Sequence, residues 1–256
     1  MKKIFTYLIA IAGLMVVSVA ATAQNGSSPF IGSTHEYTVN AGDDVNNTLL
    51  WSVLEGSDGT EYDINSAVNT ETLNITWNVS GTYTLQFTET ADGTGCITTK
   101  QLTVIVQDNT FDVTISDSTI TCNTADGIVN FSGTDTITPI SFTVDTVGVD
   151  WDYAWEFKFT LSSGATLTDV AASAGDAISG SGTAIDPYIV TNIPGTTPSI
   201  DITLKVQGNA FAEQTVTMEI VSATELKYGT PALLNENILS TSSVNAIPNT
   251  SSISTD

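Results

Sequence analysis

The sequence predicts an all-β protein built of two tandem antiparallel β-sandwich modules. Three observations predict it. Residues 71–107 hold three runs of apolar–polar alternation, carried by Leu73, Ile75, Trp77 and Val79, then Tyr83, Leu85 and Phe87, then Leu102, Val104 and Val106. Successive strand side chains point to opposite faces, so each run makes a strand with one buried and one wet face. The runs are separated by Ser80-Gly81 and by ADGTG (91–95), short glycine turns of the kind that close antiparallel pairs. Helical periodicity is absent outside ALLNENIL (232–239), the single short helical candidate.

The elements follow in order. Lys2-Lys3, the apolar stretch IFTYLIAIAGLMVVSVA and the small-residue site Ala21-Thr22-Ala23 make residues 1–23 a secretory signal peptide, cleaved after Ala23. The apolar run is near bilayer length, which also suits an uncleaved anchor, but the small-residue site favours cleavage. With no cysteine following the apolar core, a lipid anchor is not expected. The mature chain then begins at Gln24 and has no transmembrane segment. Residues 24–29 are a polar leader. A first module spans 30–107, its early strands being HEYTV (35–39) and LLWSVL (49–54); residues 108–110 link it to a second, larger module over 111–240. That module alternates at Phe111 to Ile115, Ile140 to Val144, Ile200 to Val206 and Val216 to Ile220, with Gly- and Ser-rich loops such as 173–187 between. Residues 241–256 are a Ser/Thr-rich tail with room for one last strand around Val244 to Ile247. Each module is long enough to bury a core.

Trp51, Val53, Trp77, Gly81, Tyr83, Leu85, Gly95, Cys96, Leu102, Val104 and Val106 together form a W-x-V…T-W-x-x-x-G-x-Y-x-L…G-C-x5-L-T-V-x-V pattern. This pattern resembles the PKD-like and immunoglobulin-like repeats of large bacterial surface and gliding-associated proteins, over about residues 30–107. The resemblance implies a PKD-like first module and, in general style, an immunoglobulin-like second one. It implies a place at the cell surface, but no activity, because sandwiches host many functions. Such proteins are often exported by the type IX system. The chain ends in NTSSISTD without the sorting domain that route uses, which leaves periplasmic residence open.

The chain has no arginine. Loss of Lys2 and Lys3 leaves Lys100, Lys158, Lys205 and Lys227 against 28 acidic residues, a net charge of −24. That charge repels phosphate backbones and anionic membrane surfaces, so nucleic acid is excluded as a partner. Cys96 and Cys122 are a disulfide candidate in an oxidising compartment, with two separately buried thiols as the alternative.

Candidate sites are few. In WDYAWEFKF (151–159) five aromatics share one strand face, and strict alternation against charged residues marks that face as core. Flat aromatic faces also stack on sugar rings, and Trp151, Tyr153 and Trp155 would then be the platform. Acidic loop residues include Asp43-Asp44, Asp58, Glu61, Asp63 and Asp92. Asp108, Asn109 and Asp112 stand at the module boundary, where calcium would find hard oxygen ligands; no stretch has EF-hand spacing. Ser118, Thr136 and Thr146 each follow an aspartate, as in the O-glycosylation triplet of exported proteins in bacteria that carry such repeats. Asn74-Ile75-Thr76 is a sequon that matters only with a eukaryote-type pathway.

Enzymatic chemistry is poorly provided for. The single histidine, His35, has no nucleophile elbow, H-E-x-x-H helix or phosphate loop to serve. A carboxylate pair for glycoside hydrolysis needs only two well-spaced acids, and nothing singles out such a pair. The expected function is therefore that of a secreted, non-enzymatic structural or adhesive protein of the cell surface, mediating protein–protein or cell-surface assembly; an accessory subunit that instead pairs its sheet edge with a larger partner is a variant of that role. A polysaccharide-binding module is the alternative, and a secreted hydrolase the third reading.

Overall fold

In the computed structural model, residues 24–42, 46–116, 120–123, 135–148, 153–235 and 237–248 are described. The signal peptide with Ala23, the acidic pair Asp43-Asp44, Trp151, Ser118 and the end of the tail lie outside them.

The alternating runs of the first module become strands with the expected buried faces. β1 (Thr34–Thr38), β2 (Thr48–Val53), β3 (Tyr62–Ile64), β4 (Thr72–Trp77), β5 (Gly81–Thr90) and β6 (Ile97–Val106) form two three-stranded antiparallel sheets, ordered β1-β4-β3 and β2-β5-β6. Leu73, Ile75 and Trp77 of β4 face Leu85 and Phe87 of β5 and Val104 and Val106 of β6, all nearly or fully buried.

The second module has its own core. A four-stranded sheet holds β7 (Asp112–Ile115), β9 (Asp135–Val147), β11 (Thr166–Ala172) and β13 (Ser199–Asn209) in the order β11-β13-β9-β7. The facing sheet runs β12-β10-β14-β15-β8, from β8 (Thr121–Cys122), β10 (Trp155–Ser163), β12 (Tyr188–Ile193), β14 (Gln214–Glu225) and β15 (Leu239–Asn245). All pairs are antiparallel except β8 with β15. Phe142 and Val144, Trp155, Phe157 and Phe159, and Ile200 and Ile202 fill the space between the sheets.

Two expectations are corrected, for ALLNENIL and for Phe30. ALLNENIL is not helical: residues 232–235 and 237–238 are irregular loop, Leu234 and Asn237 have positive φ, and β15 begins at Leu239. Its apolar residues pack one by one against the second core instead of forming a helical face. The polar 24–29 leader runs along the first module as a strap. The carbonyls of Ser27 and Pro29 accept the Ile105 and Gln107 N–H groups at 3.0 and 2.8 Å, so this strap extends the β6 ladder in parallel. Phe30, placed by its sequence position in the first module, is 5 % exposed and belongs to the second core, because the strap crosses the joint there.

Candidate functional site

Two places in the molecule are built for more than packing. One is the joint between the modules. Its centre is His35, at 3 % exposure. The Gln24 amide nitrogen donates to His35 Nε2 at 3.0 Å, with Ser33 Oγ also 3.0 Å from that nitrogen. From the second module Tyr228 stacks on the ring, centroids 4.2 Å apart, and its carbonyl accepts the Thr34 N–H at 2.7 Å. Thr230 Oγ1 donates to Gln24 Oε1 at 3.1 Å, and Tyr153 Oη to the Gln24 carbonyl at 3.2 Å. Gln24 thus ties both modules together.

The loop that brings Tyr228 is set by Glu225. Fully buried, its carboxylate accepts the Lys227 N–H at 2.5 Å and the Tyr228 N–H at 3.0 Å. Burial raises its pKa against those N–H groups, which favour the charged form. Lys227 Nζ then lies 4.1 Å from the Tyr153 ring centroid and 4.8 Å from that of Tyr228, a cation between two aromatic faces. Burial, and secondarily the Lys227 charge, lower the His35 pKa to about 4. Gly32 completes the joint with φ +84°, and a Cβ there would come within 2.7 Å of Pro231 Cδ. Gly32→Ala is therefore expected to cost about 1–2 kcal/mol, from backbone strain and that contact. A urea titration of the variant against the parent measures it.

The other place is the outer edge of β6. Thr98, Lys100, Leu102, Val104 and Val106 are registered with β5, without a bulge anywhere along the pair. On the far side, the strap covers only the Ile105–Gln107 end. Where it covers, inward side chains are buried, with Val104 at 0 % and Val106 at 3 %. Above it no described strand pairs with residues 97–103, and inward-facing Leu102 stays 43 % exposed. Below this open edge, between β6 and β1, lies a cavity of about 150 Å3. Tyr37 and Val39 line one side, Lys100 and Leu102 the other, and Trp51 and Phe87 the floor. An apolar cavity of that size holds a benzene-sized group.

The sequence-derived sites fare differently. Trp155 is 1 % exposed, inside the second core, and its Nε1 has no hydrogen-bond partner among the described residues. Tyr153 is engaged by Lys227, Tyr228 and Gln24. The aromatic face is therefore core and joint, and Tyr153 and Trp155 form no sugar platform. At the module boundary, Asn109 and Asp112 are engaged by backbone groups. Asp112 accepts the N–H groups of Val113 and Leu234, each at 2.8 Å, and of Asn235 at 3.3 Å. Asn109 accepts from Phe111 N and donates to the Pro231 carbonyl at 2.6 Å. Among the described residues no group of three or more His, Cys, Asp or Glu side chains is placed to hold a metal ion.

Cys96 and Cys122 are free and exposed, not bridged. Cys96 precedes β6 at the end far from the joint, and Cys122 pairs with Asn245 at the far end of the second module. A full strand length of each module, about 30 Å or more, separates each thiol from the joint, beyond the reach of a disulfide. The Thr136 hydroxyl donates to Asn123 Oδ1 at 2.9 Å and that of Thr146 to the Pro198 carbonyl at 3.2 Å, so both lie in hydrogen bonds on β9.

The fold these sheets define is an all-β sandwich pair. No protein-family model matches the chain, and no curated protein matches it. Among solved structures it is similar to the C-terminal domain of the AgI/II polypeptide BspA of Streptococcus agalactiae, with 9 % identity, 86 % of this chain and 96 % of that one covered, and a TM-score of 0.33. It is also similar to the D0-D1 domain of intimin (12 % identity, 85 % and 94 % covered, TM-score 0.24). Fibronectin(III)-like modules of Clostridium thermocellum CbhA give 12 % identity, 93 % and 98 % covered, and a TM-score of 0.27. Likeness at this level assigns no function. No helix among the described residues is long and apolar enough to cross a membrane.

Proposed function

We propose that this chain is an exported, non-enzymatic structural or adhesive protein of the bacterial surface that works by binding another protein. The observation that carries the reading is the open edge of β6 above its apolar cavity. Solvent-facing sheet edges are normally kept short, bulged, interrupted by proline or covered. β6 is ten residues long, regular and free of proline, and among the described residues no strand covers its 97–103 stretch beside the cavity. Addition of a partner strand to such an edge is a general mode of protein recognition. The locked joint supports the reading as well, because a rigid pair of modules presents that edge in one orientation. Burial of Trp155 and engagement of Tyr153 weigh against polysaccharide capture.

The test places the purified chain on a sensor surface, exposed in turn to a polysaccharide panel and to the surface proteins of the cells that make it. Saturable, protease-sensitive binding with a silent panel is expected. Binding to a polysaccharide alone would replace adhesion to protein with sugar capture.

A further inference from the structure

Within that proposed role, the groove between β1 and β6 specifies the chemistry of its occupant. The strap already occupies one end of the groove, bonding to Ile105 and Gln107. Backbone groups alternate along a strand, so Thr99, Gln101 and Thr103 point their N–H and C=O groups the same way as Ile105 and Gln107, toward the unpaired side. Their side chains stand on the outer face, where Gln101 donates to Gln86 Oε1 at 2.7 Å and the neighbours are threonines paired as Thr88 with Thr99 and Thr84 with Thr103. The inner face of the same stretch carries Leu102 at the cavity and Lys100 beside it. In a chain with 28 acidic residues, Lys100 has no salt bridge among the described residues, where Lys205 with Asp169 is the one ion pair formed.

We infer that the groove receives an extended segment of a partner protein as a seventh strand of the first module. That segment sets an apolar side chain in the cavity and a carboxylate, two residues away on the same face, against Lys100. Period-two side-chain placement fixes the two-residue spacing, and the unpaired ammonium fixes the charge. A second copy of this chain is the poorer occupant, because two bodies that each carry a net charge of −24 once Lys2 and Lys3 are lost repel each other over their whole surfaces. The local Lys100 contact acts within a Debye length, where the net charge of a small segment matters little.

The probe is the heptapeptide Thr-Leu-Thr-Asp-Thr-Leu-Thr, whose inward residues read the same in either strand direction, titrated into the whole chain. Saturable binding is expected, with slowed amide exchange at Thr99, Gln101 and Thr103. Replacing the peptide's Asp by Lys should weaken binding about tenfold, the worth of one charge-assisted contact, and Lys100→Glu should reverse that preference. Gln101→Pro removes an outward N–H and no backbone bond to β5, at the cost of one exposed side-chain bond to Gln86, so it should abolish binding with the melting temperature little changed. Equal affinity for both peptides, indifference to Lys100→Glu and Gln101→Pro, or the same amides protected by raising the protein concentration alone would each overturn the inference. If the peptides fail while the sensor still records binding to surface protein, the groove is wrong and the adhesive role stands; if both fail, both are wrong.

Discussion

Alanine at position 77 is expected to unfold the first module at temperatures where the second still holds. Trp77 has no solvent exposure and is the hub of that core. Its ring meets Tyr37 edge-on at 6.5 Å and Tyr62 at 6.0 Å, and tilts against Tyr83 at 4.9 Å. Its Nε1 donates to Tyr37 Oη at 3.1 Å, which in turn donates to the Gly26 carbonyl at 2.8 Å and so holds the strap. Truncating a buried tryptophan costs about 3–5 kcal/mol through lost burial and the cavity left behind. In a module of this size that is a fall of about 20 °C in melting temperature. Because the two cores share no residue, a second transition from the second module's core should persist. Calorimetry that finds one unshifted transition would show that Trp77 does not carry the core.

Acid is expected to weaken the joint through His35 alone. Its pKa is about 4 in the folded chain and 6.5 in a model peptide. Above pH 6.5 neither state binds the proton, and this group contributes no pH dependence. Between about pH 6.5 and 4 the unfolded chain binds it and the folded chain does not, so stability falls as pH falls. Below about pH 4 the loss is complete, at about 3 kcal/mol. The groups facing the ring are Gln24, Ser33, Tyr228 and the Lys227 charge, none of which compensates an imidazolium. Glu225 acts with the opposite sign, since its raised pKa means protonation favours the fold. Comparison with His35→Phe separates the two. Chemical denaturation at pH 7 and pH 4.5 should show a midpoint loss in the parent that exceeds the variant's. As the chain has one histidine, its ring proton resonance reports the pKa directly; a value near 6.5 would mean that the joint is open in solution.

The sandwich architecture was legible because alternation records burial directly. The register of Leu73, Ile75 and Trp77, or of Phe157 and Phe159, follows from which face each residue must hide. β11 and β12 were not legible, since Thr166–Ala172 is mostly half-exposed and Tyr188–Ile193 follows a Gly/Ser loop, so neither offers a clean period. Tyr153 and Trp155 illustrate a limit of another kind. Their spacing is the same in a core strand and in a binding platform, and only the positions of Lys227, Tyr228 and Gln24 decide between them. The joint itself depends on residues 24, 35 and 225–230, far apart in the chain and ordinary in type. The one available signal was a lone histidine on the buried face of β1, flanked by the outward Thr34 and Glu36. The open edge was hidden for a related reason: Leu102 continues the alternation of Val104 and Val106, and sequence cannot tell which stretch of β6 the strap leaves uncovered.

That uncovered stretch is tested most directly by residue-resolved amide hydrogen exchange of the chain alone. An open edge predicts alternation along β6. The amides of Thr98, Lys100 and Leu102, bonded to β5, should be protected, while those of Thr99, Gln101 and Thr103 exchange fast, and Ile105 and Gln107 under the strap should be protected again. Uniform protection from Ile97 to Val106 would contradict it, for the edge would then be covered and the groove would have no place for a partner strand.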